Sequence, residues 1–121
     1  MARIMIVDDS PADVQNLKSI LLKDGHQVIE VQSGQEAVER VKKDKPDCIV
    51  MDVVMPGVNG FQATRHIAKD PETSAIPIIV VSAKNQETDR VWALRQGAKE
   101  YIVKPVKEGD LLAKVKQVLG G

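Results

Sequence analysis

Five short apolar runs, each followed by a stretch with helical periodicity, constrain this chain more than any other feature. They lie near residues 3 to 7, 27 to 31, 47 to 51, 77 to 81 and 99 to 103. After the first run Val14, Leu17, Ile20 and Leu21 recur at helical spacing, and Leu111, Leu112, Val115, Val118 and Leu119 do so after the last. Parallel strands need crossover connections, and crossovers are right-handed. Regular alternation therefore predicts an α/β fold, a five-stranded parallel sheet flanked on both faces by five helices. Gln27-Val28-Ile29-Glu30-Val31 alternates polar with apolar residues and reads as an edge strand; the other four runs read as central. Ser10-Pro11 fits an N-cap with proline at the first helical position, and Ser33-Gly34-Gln35-Glu36 fits a capping box. Asn59 and Asn85 are further N-cap candidates, while Gly25 and Gly97 suit helix ends that need positive φ.

The 121 residues fit one domain, 1–121, and Gly120-Gly121 directly after the fifth helix predicts no output domain. Seventeen basic and 17 acidic side chains balance, which argues against nucleic acid as a partner. The apolar runs are too short to cross a bilayer, and Met-Ala-Arg leads at once into a strand-like run, so no membrane insertion and a cytoplasmic location are expected. Cys48, alone of its kind and inside an apolar run, reads as a core residue rather than a reactive thiol.

Four of the runs stop at a residue able to handle phosphate or metal: Asp8-Asp9, Asp52, Ser82 and Lys104. In an open parallel sheet the residues just past the carboxyl ends of the strands share one edge, where such folds bind ligands. Two like charges about 4 Å apart repel by roughly 4 kcal/mol at an effective dielectric near 20, so a carboxylate cluster calls for a cation. Oxygen ligands suit Mg2+, with Mn2+ as an alternative, whereas zinc would draw on His or Cys, and His26 and His66 are not spaced as a pair. Asp52 precedes Val53-Val54-Met55-Pro56-Gly57, a loop rather than a helix cap, and is placed to act as a nucleophile toward phosphorus. Lys104 would neutralise the phosphoryl oxygens; the alternative is a surface lysine at a strand end. Because it precedes Pro105, Lys104–Pro105 is a candidate cis peptide bond. Ser82 could donate its hydroxyl to the same group or serve as a turn residue.

These residues, in this order and near these spacings, resemble a response-regulator receiver domain, the CheY-like phosphoacceptor module of two-component signalling. The likeness spans essentially the whole chain and includes Met55-Pro56-Gly57, Gly60, Ser82-Ala83 and Lys104-Pro105. It implies a flavodoxin-like, doubly wound sheet of order 2-1-3-4-5 and phosphorylation of Asp52 by a histidine kinase. It further implies Asp9, Asp52 and the Val54 carbonyl as direct magnesium ligands, with Asp8 holding metal-bound water. Lys104 would pair with the phosphoryl group, Ser82 would move toward it, and Tyr101 would turn into the space vacated; a packing role is the alternative for Tyr101. Val54 and Lys84 would flank the path of the hydrolytic water. Val54 cannot orient water through its side chain, so no strong built-in acceleration of dephosphorylation is expected.

A narrower likeness, to single-domain PilH-type receivers of type IV pilus twitching-motility and chemotaxis-like systems, rests on Gly60 to Arg65, Glu72 to Pro77 and Glu87 to Ala98. Trp92 in the last segment suits either core packing or partner binding. The leading functional expectation is a phosphorylation-switched binding module, a monomer, meeting its protein target through the fourth helix and fifth strand. Its only catalysis would be self-modification. The alternatives are a phosphate sink for a shared kinase and a small metal-dependent phosphatase, the latter opposed by the lack of room for a lid.

Overall fold

A computed structural model describes residues 2–54 and 59–120. Strands and helices alternate throughout: β1 (Arg3–Val7), α1 (Pro11–Lys23), β2 (Gln27–Val31), α2 (Gly34–Asp44), β3 (Cys48–Asp52), α3 (Gly60–Lys69), β4 (Ile78–Ser82), α4 (Glu87–Arg95), β5 (Glu100–Val103) and α5 (Glu108–Val118). All four strand pairings are parallel, and the order is β2-β1-β3-β4-β5. β2 is an edge strand as its alternation predicts. β5 forms the other edge, which corrects its reading as central: it pairs with β4 alone, and Val103 is 42% exposed. Its hydrophobicity reflects packing of Ile102 and Tyr101 on the two faces rather than a second neighbouring strand.

Side chains alternate across each strand, so the sheet divides the interior into two cores. Ile4, Ile6, Cys48, Val50, Ile79, Val81 and Ile102 pack with Leu17, Ile20 and Leu21 of α1 and Leu111 and Val115 of α5. Met5, Val7, Ile49, Met51, Ile78 and Val80 face Val41 of α2, Ala63 and Ile67 of α3 and Ala93 of α4. Each large side chain buried this way contributes roughly 1.5–3 kcal/mol relative to exposure. Cys48 lies in the first of these cores, where burial pushes its thiol up to about 12. Among the described residues no helix is long and apolar enough to cross a membrane.

Caps fix where each helix begins, and so where each strand end points. The Ser10 side chain accepts from the Asp13 N–H and Pro11 opens α1. Ser33 accepts from Glu36, but the returning bond runs to the Glu36 carboxylate from the Gln32 N–H, one residue short of a reciprocal box. Asn59 and Gln62 do form that reciprocal pair. At α4 the cap is Gln86 rather than Asn85, because Asp89 reaches back to accept from the Gln86 N–H. Gly25 and Gly97 have φ of 86° and 113°.

Candidate functional site

The sheet order reverses beside β1, so the carboxyl ends of β1 and β3 open a crevice between the connections that leave in opposite directions. Asp8 and Asp9 follow β1 and Asp52 ends β3. Each offers one carboxylate oxygen, and these oxygens lie within 4.8 Å of one another. Asp8 is buried, its Oδ1 accepting from the Ser10 N–H at 2.9 Å, while Asp9 is exposed. Asp52 is 7% exposed, and its Oδ1 accepts a long bond of 3.4 Å from the Val54 N–H. An octahedral magnesium ion holds ligands at about 2.0–2.1 Å, hence opposite ligands about 4.2 Å apart. Carboxylate oxygens this close together can serve one such ion directly or through its retained waters, so the donor set fits a hard divalent cation.

Lys104 enters from the end of β5. Its backbone N–H donates to the Ser82 carbonyl at 2.8 Å, and the Lys104–Pro105 bond is cis. The ammonium lies 2.8 Å from Asp13 Oδ2, 3.2 Å from Asp8 Oδ2 and 3.8 Å from Asp52 Oδ1. Burial alone would lower the lysine's pKa, but Asp13, Asp52 and Asp8 outweigh it and hold the ammonium above its ordinary value. Asp52 shifts upward too. Burial lifts its carboxyl above the usual range and the Asp8 charge adds to the rise, while the lysine pulls it only part of the way back.

Ser82 is wholly buried at the end of β4. Register places Asp52 opposite Val81, so Ser82 stands one residue beyond it along the neighbouring strand. Its Oγ accepts from the Lys84 N–H at 3.1 Å, and the Tyr101 hydroxyl donates to the Lys84 carbonyl at 2.8 Å. Burial raises the Tyr101 phenol, with the Ser82 hydroxyl opposing. One short segment thus ties the serine of β4 to the tyrosine of β5. The Val54 side chain is 59% exposed and Lys84 is exposed. Met55, Pro56 and Gly57 lie outside the described residues.

The crevice therefore gathers Asp8, Asp9, Asp52 and Lys104, with Ser82, Tyr101 and Lys84 along the adjoining strand ends. Trp92 does not belong to the core: it is 50% exposed on α4, beside Val91. Asp13 is the residue that sequence reasoning missed. Its spacing from Ser10, serine-x-x-aspartate, is the pattern of a helix start, and nothing in that local pattern signals a contact with Lys104.

Known proteins resemble this chain in sequence and fold. Protein PilH of Pseudomonas aeruginosa is 54% identical over 121 residues, the full length of both chains. A putative response regulator from Chloroflexus aurantiacus superposes with a TM-score of 0.95 at 28% identity, over 99% of this chain and 98% of that one. The receiver domain of a sensor histidine kinase from Pseudomonas aeruginosa PAO1 matches with a TM-score of 0.91 at 29% identity, over 99% and 98% of the two chains. That structure has a magnesium ion coordinated in its active-site cleft. Residues 4–116, which include the three clustered acids, the serine and the lysine, match the response regulator receiver domain. A match over nearly the whole chain, with a full-length relative at 54% identity, shows that this chain belongs to the response regulator receiver domain family.

Proposed function

We propose that Asp52 is the phosphoacceptor of this receiver, charged by the phosphohistidine of a histidine kinase, and that the phosphorylated form changes the protein's contacts with a target. The observation that carries this reading is the setting of Asp52. It is a nearly buried carboxylate at a strand end, beside two further acids and 3.8 Å from a lysine that approaches from another strand. A carboxylate oxygen of Asp52 forms a bond to phosphorus as the P–N bond breaks, and that bond's electron pair leaves with the imidazole nitrogen. Lys104, already within reach, pairs with the phosphoryl oxygens. Asp9, Asp52 and the Val54 carbonyl would hold magnesium directly, or manganese in its place, with Asp8 acting through water. At that place a divalent ion would supply neutralisation of charge on the phosphoryl oxygens.

Ser82 then turns toward the new dianionic group. Its bond with the Lys84 N–H is given up, and the Tyr101–Lys84 contact carries the change to β5. The surface so altered bears Val91, Trp92 and Val103, all exposed, which suits a protein target. Val54 presents no carboxylate or amide to align a hydrolytic water, which argues against a strong built-in acceleration of phosphate loss. Catalysis is confined to this self-modification. Full-length likeness to Protein PilH supports a place in pilus-linked motility signalling, in the cytoplasm beside the kinase.

The test is mass spectrometry after incubation with magnesium and phosphoramidate. The wild-type chain should gain one phosphoryl group and Asp52→Asn none; an equal gain in that variant would refute the assignment.

A further inference from the structure

Lys104 stands closer to Asp13 than to any member of the acid cluster. The Asp13 oxygen lies 2.8 Å away, against 3.2 Å for Asp8 and 3.8 Å for Asp52. Asp13 projects from the first turn of α1, with its backbone N–H already bonded to the Ser10 cap. Its carboxylate is therefore not the helix's own cap and is free to take the lysine. We propose that Asp13 is a positioning residue that holds Lys104 in reserve and competes with the phosphoryl group for it. This rests on the reading of Asp52 as the phosphoacceptor.

The consequence is a difference between two states. In the unphosphorylated chain Lys104 has Asp13 as its nearest partner. When a dianionic group sits on Asp52, the ammonium turns to it and the Asp13 contact is lost or lengthened. Asp13 thus stabilises only the first state, and a ligand shifts such an equilibrium by its differential affinity for the two. Removing the Asp13 charge while keeping its shape should make the phosphorylated state easier to reach. Asp13→Glu, which keeps the charge, should behave much like wild type.

Beryllofluoride with magnesium serves as a stable phosphoryl mimic, and its affinity can be titrated with Trp92 or NMR signals as reporters. For Asp13→Asn, binding about threefold to fivefold tighter is expected, the scale of a partly exposed ion pair. That gain should shrink in a Lys104→Met background, where no ammonium remains to be released. In metal-free protein, the Lys104 side-chain nitrogen resonance should shift in Asp13→Asn and remain near its wild-type position in Asp13→Glu. A residue that served only the helix would change thermal stability and leave the beryllofluoride affinity unmoved.

Unchanged or weaker binding by Asp13→Asn would overturn the proposal, as would an equal gain without Lys104. The gain would then belong to the general field of the site. If Asp52→Asn took up beryllofluoride as wild type does, the phosphoacceptor assignment itself would fall and this proposal with it. That outcome is read from a different variant and so is distinct from a failure of Asp13 alone.

Discussion

The two ends of the sheet carry charged groups in contrasting ways. At the amino ends of the strands, Arg3, Lys45 and Asp47 are exposed and make separate contacts. The Arg3 N–H donates to Asp47 at 2.8 Å, the Arg3 guanidinium donates to the Asp44 carbonyl, and Lys45 donates to the Glu72 carbonyl. His26 accepts from the Ala2 N–H on one ring nitrogen and faces Asp24 with the other. At the carboxyl ends, Asp8 and Asp52 are buried, and one ammonium is shared among Asp8, Asp13 and Asp52. The first end uses charge to fasten the chain. The second retains a surplus of negative charge that a cation can neutralise, at some expense in stability.

That contrast predicts where substitutions will hurt most. Gly60 begins α3 directly against the end of β3. A Cβ there would fall on the Asp52 carbonyl oxygen and stand 2.5 Å from Val53 Cα, and both are backbone atoms that cannot swing aside. Gly60→Ala should therefore cost about 3 kcal/mol, at the upper end of overpacking effects, and should slow phosphorylation by displacing Asp52. Urea denaturation measures the first effect. A variant within 0.5 kcal/mol of wild type, by order of magnitude, would mean that α3 can shift freely away from β3.

Among the described residues Lys104 is the one cation within 4.0 Å of Asp8, Asp13 and Asp52, and Lys104→Met removes it. In chelator the substitution should lower stability by about 1.5–3 kcal/mol, the range for hydrogen bonds to charged groups. Magnesium should then recover more stability in this variant than in wild type, because the ion takes over the neutralisation. The lysine is held above its ordinary 10.5, so its contribution is complete below that pH and fades as pH rises through the higher folded value. The gap between the two proteins should narrow above pH 10.5 in step with this loss. Equal melting temperatures in chelator at neutral pH would show that the carboxylates do not need the ammonium.

Asp52→Asn should act in the opposite direction on stability while abolishing phosphorylation. The folded chain binds the Asp52 proton more tightly than the unfolded chain does, since the carboxyl is raised from 3.8. Folded stability therefore declines as pH climbs from the ordinary carboxylate value through the raised one, and the ionised form carries this loss to neutral pH. The asparagine variant escapes it. It should melt a few degrees higher near pH 7 and converge with wild type in acid, as a calorimetric pH series would reveal. A lower melting point at neutral pH would mean that Asp52 gains more from Lys104 than burial and Asp8 take away.

The reactive end was largely legible in the sequence because its residues stand where strong patterns stop. Asp8, Asp52, Ser82 and Lys104 each terminate an apolar run, and parallel topology alone brings such ends to one edge. Other features depend on contacts that no local pattern encodes. β5 carries apolar residues toward both cores, yet it has one strand neighbour. Asp13 meets Lys104 across 91 residues, and its spacing from Ser10 already had a sufficient local explanation. Trp92 shares a helix with apolar neighbours, and only the placement of Ala93 toward the core leaves the indole outside.

The smallest effect is expected at the fastening end. Asp47→Ala removes the acceptor for the Arg3 N–H, a bond at an exposed position where water can replace it. The Asp47 N–H still donates to the Arg3 carbonyl at 2.8 Å, so β1 and the chain entering β3 stay joined. A loss of about 0.5–1 kcal/mol follows, the usual net worth of one hydrogen bond, with the rate of phosphorylation unchanged. Both quantities can be measured on one preparation, by urea denaturation and by the time course with phosphoramidate. A marked change in that rate would break the division between the two ends, because it would show that strain at the amino ends of β1 and β3 is felt at Asp8 and Asp52. A stability loss without a rate change would instead show that the sheet isolates its reactive edge from the charges that fasten the other.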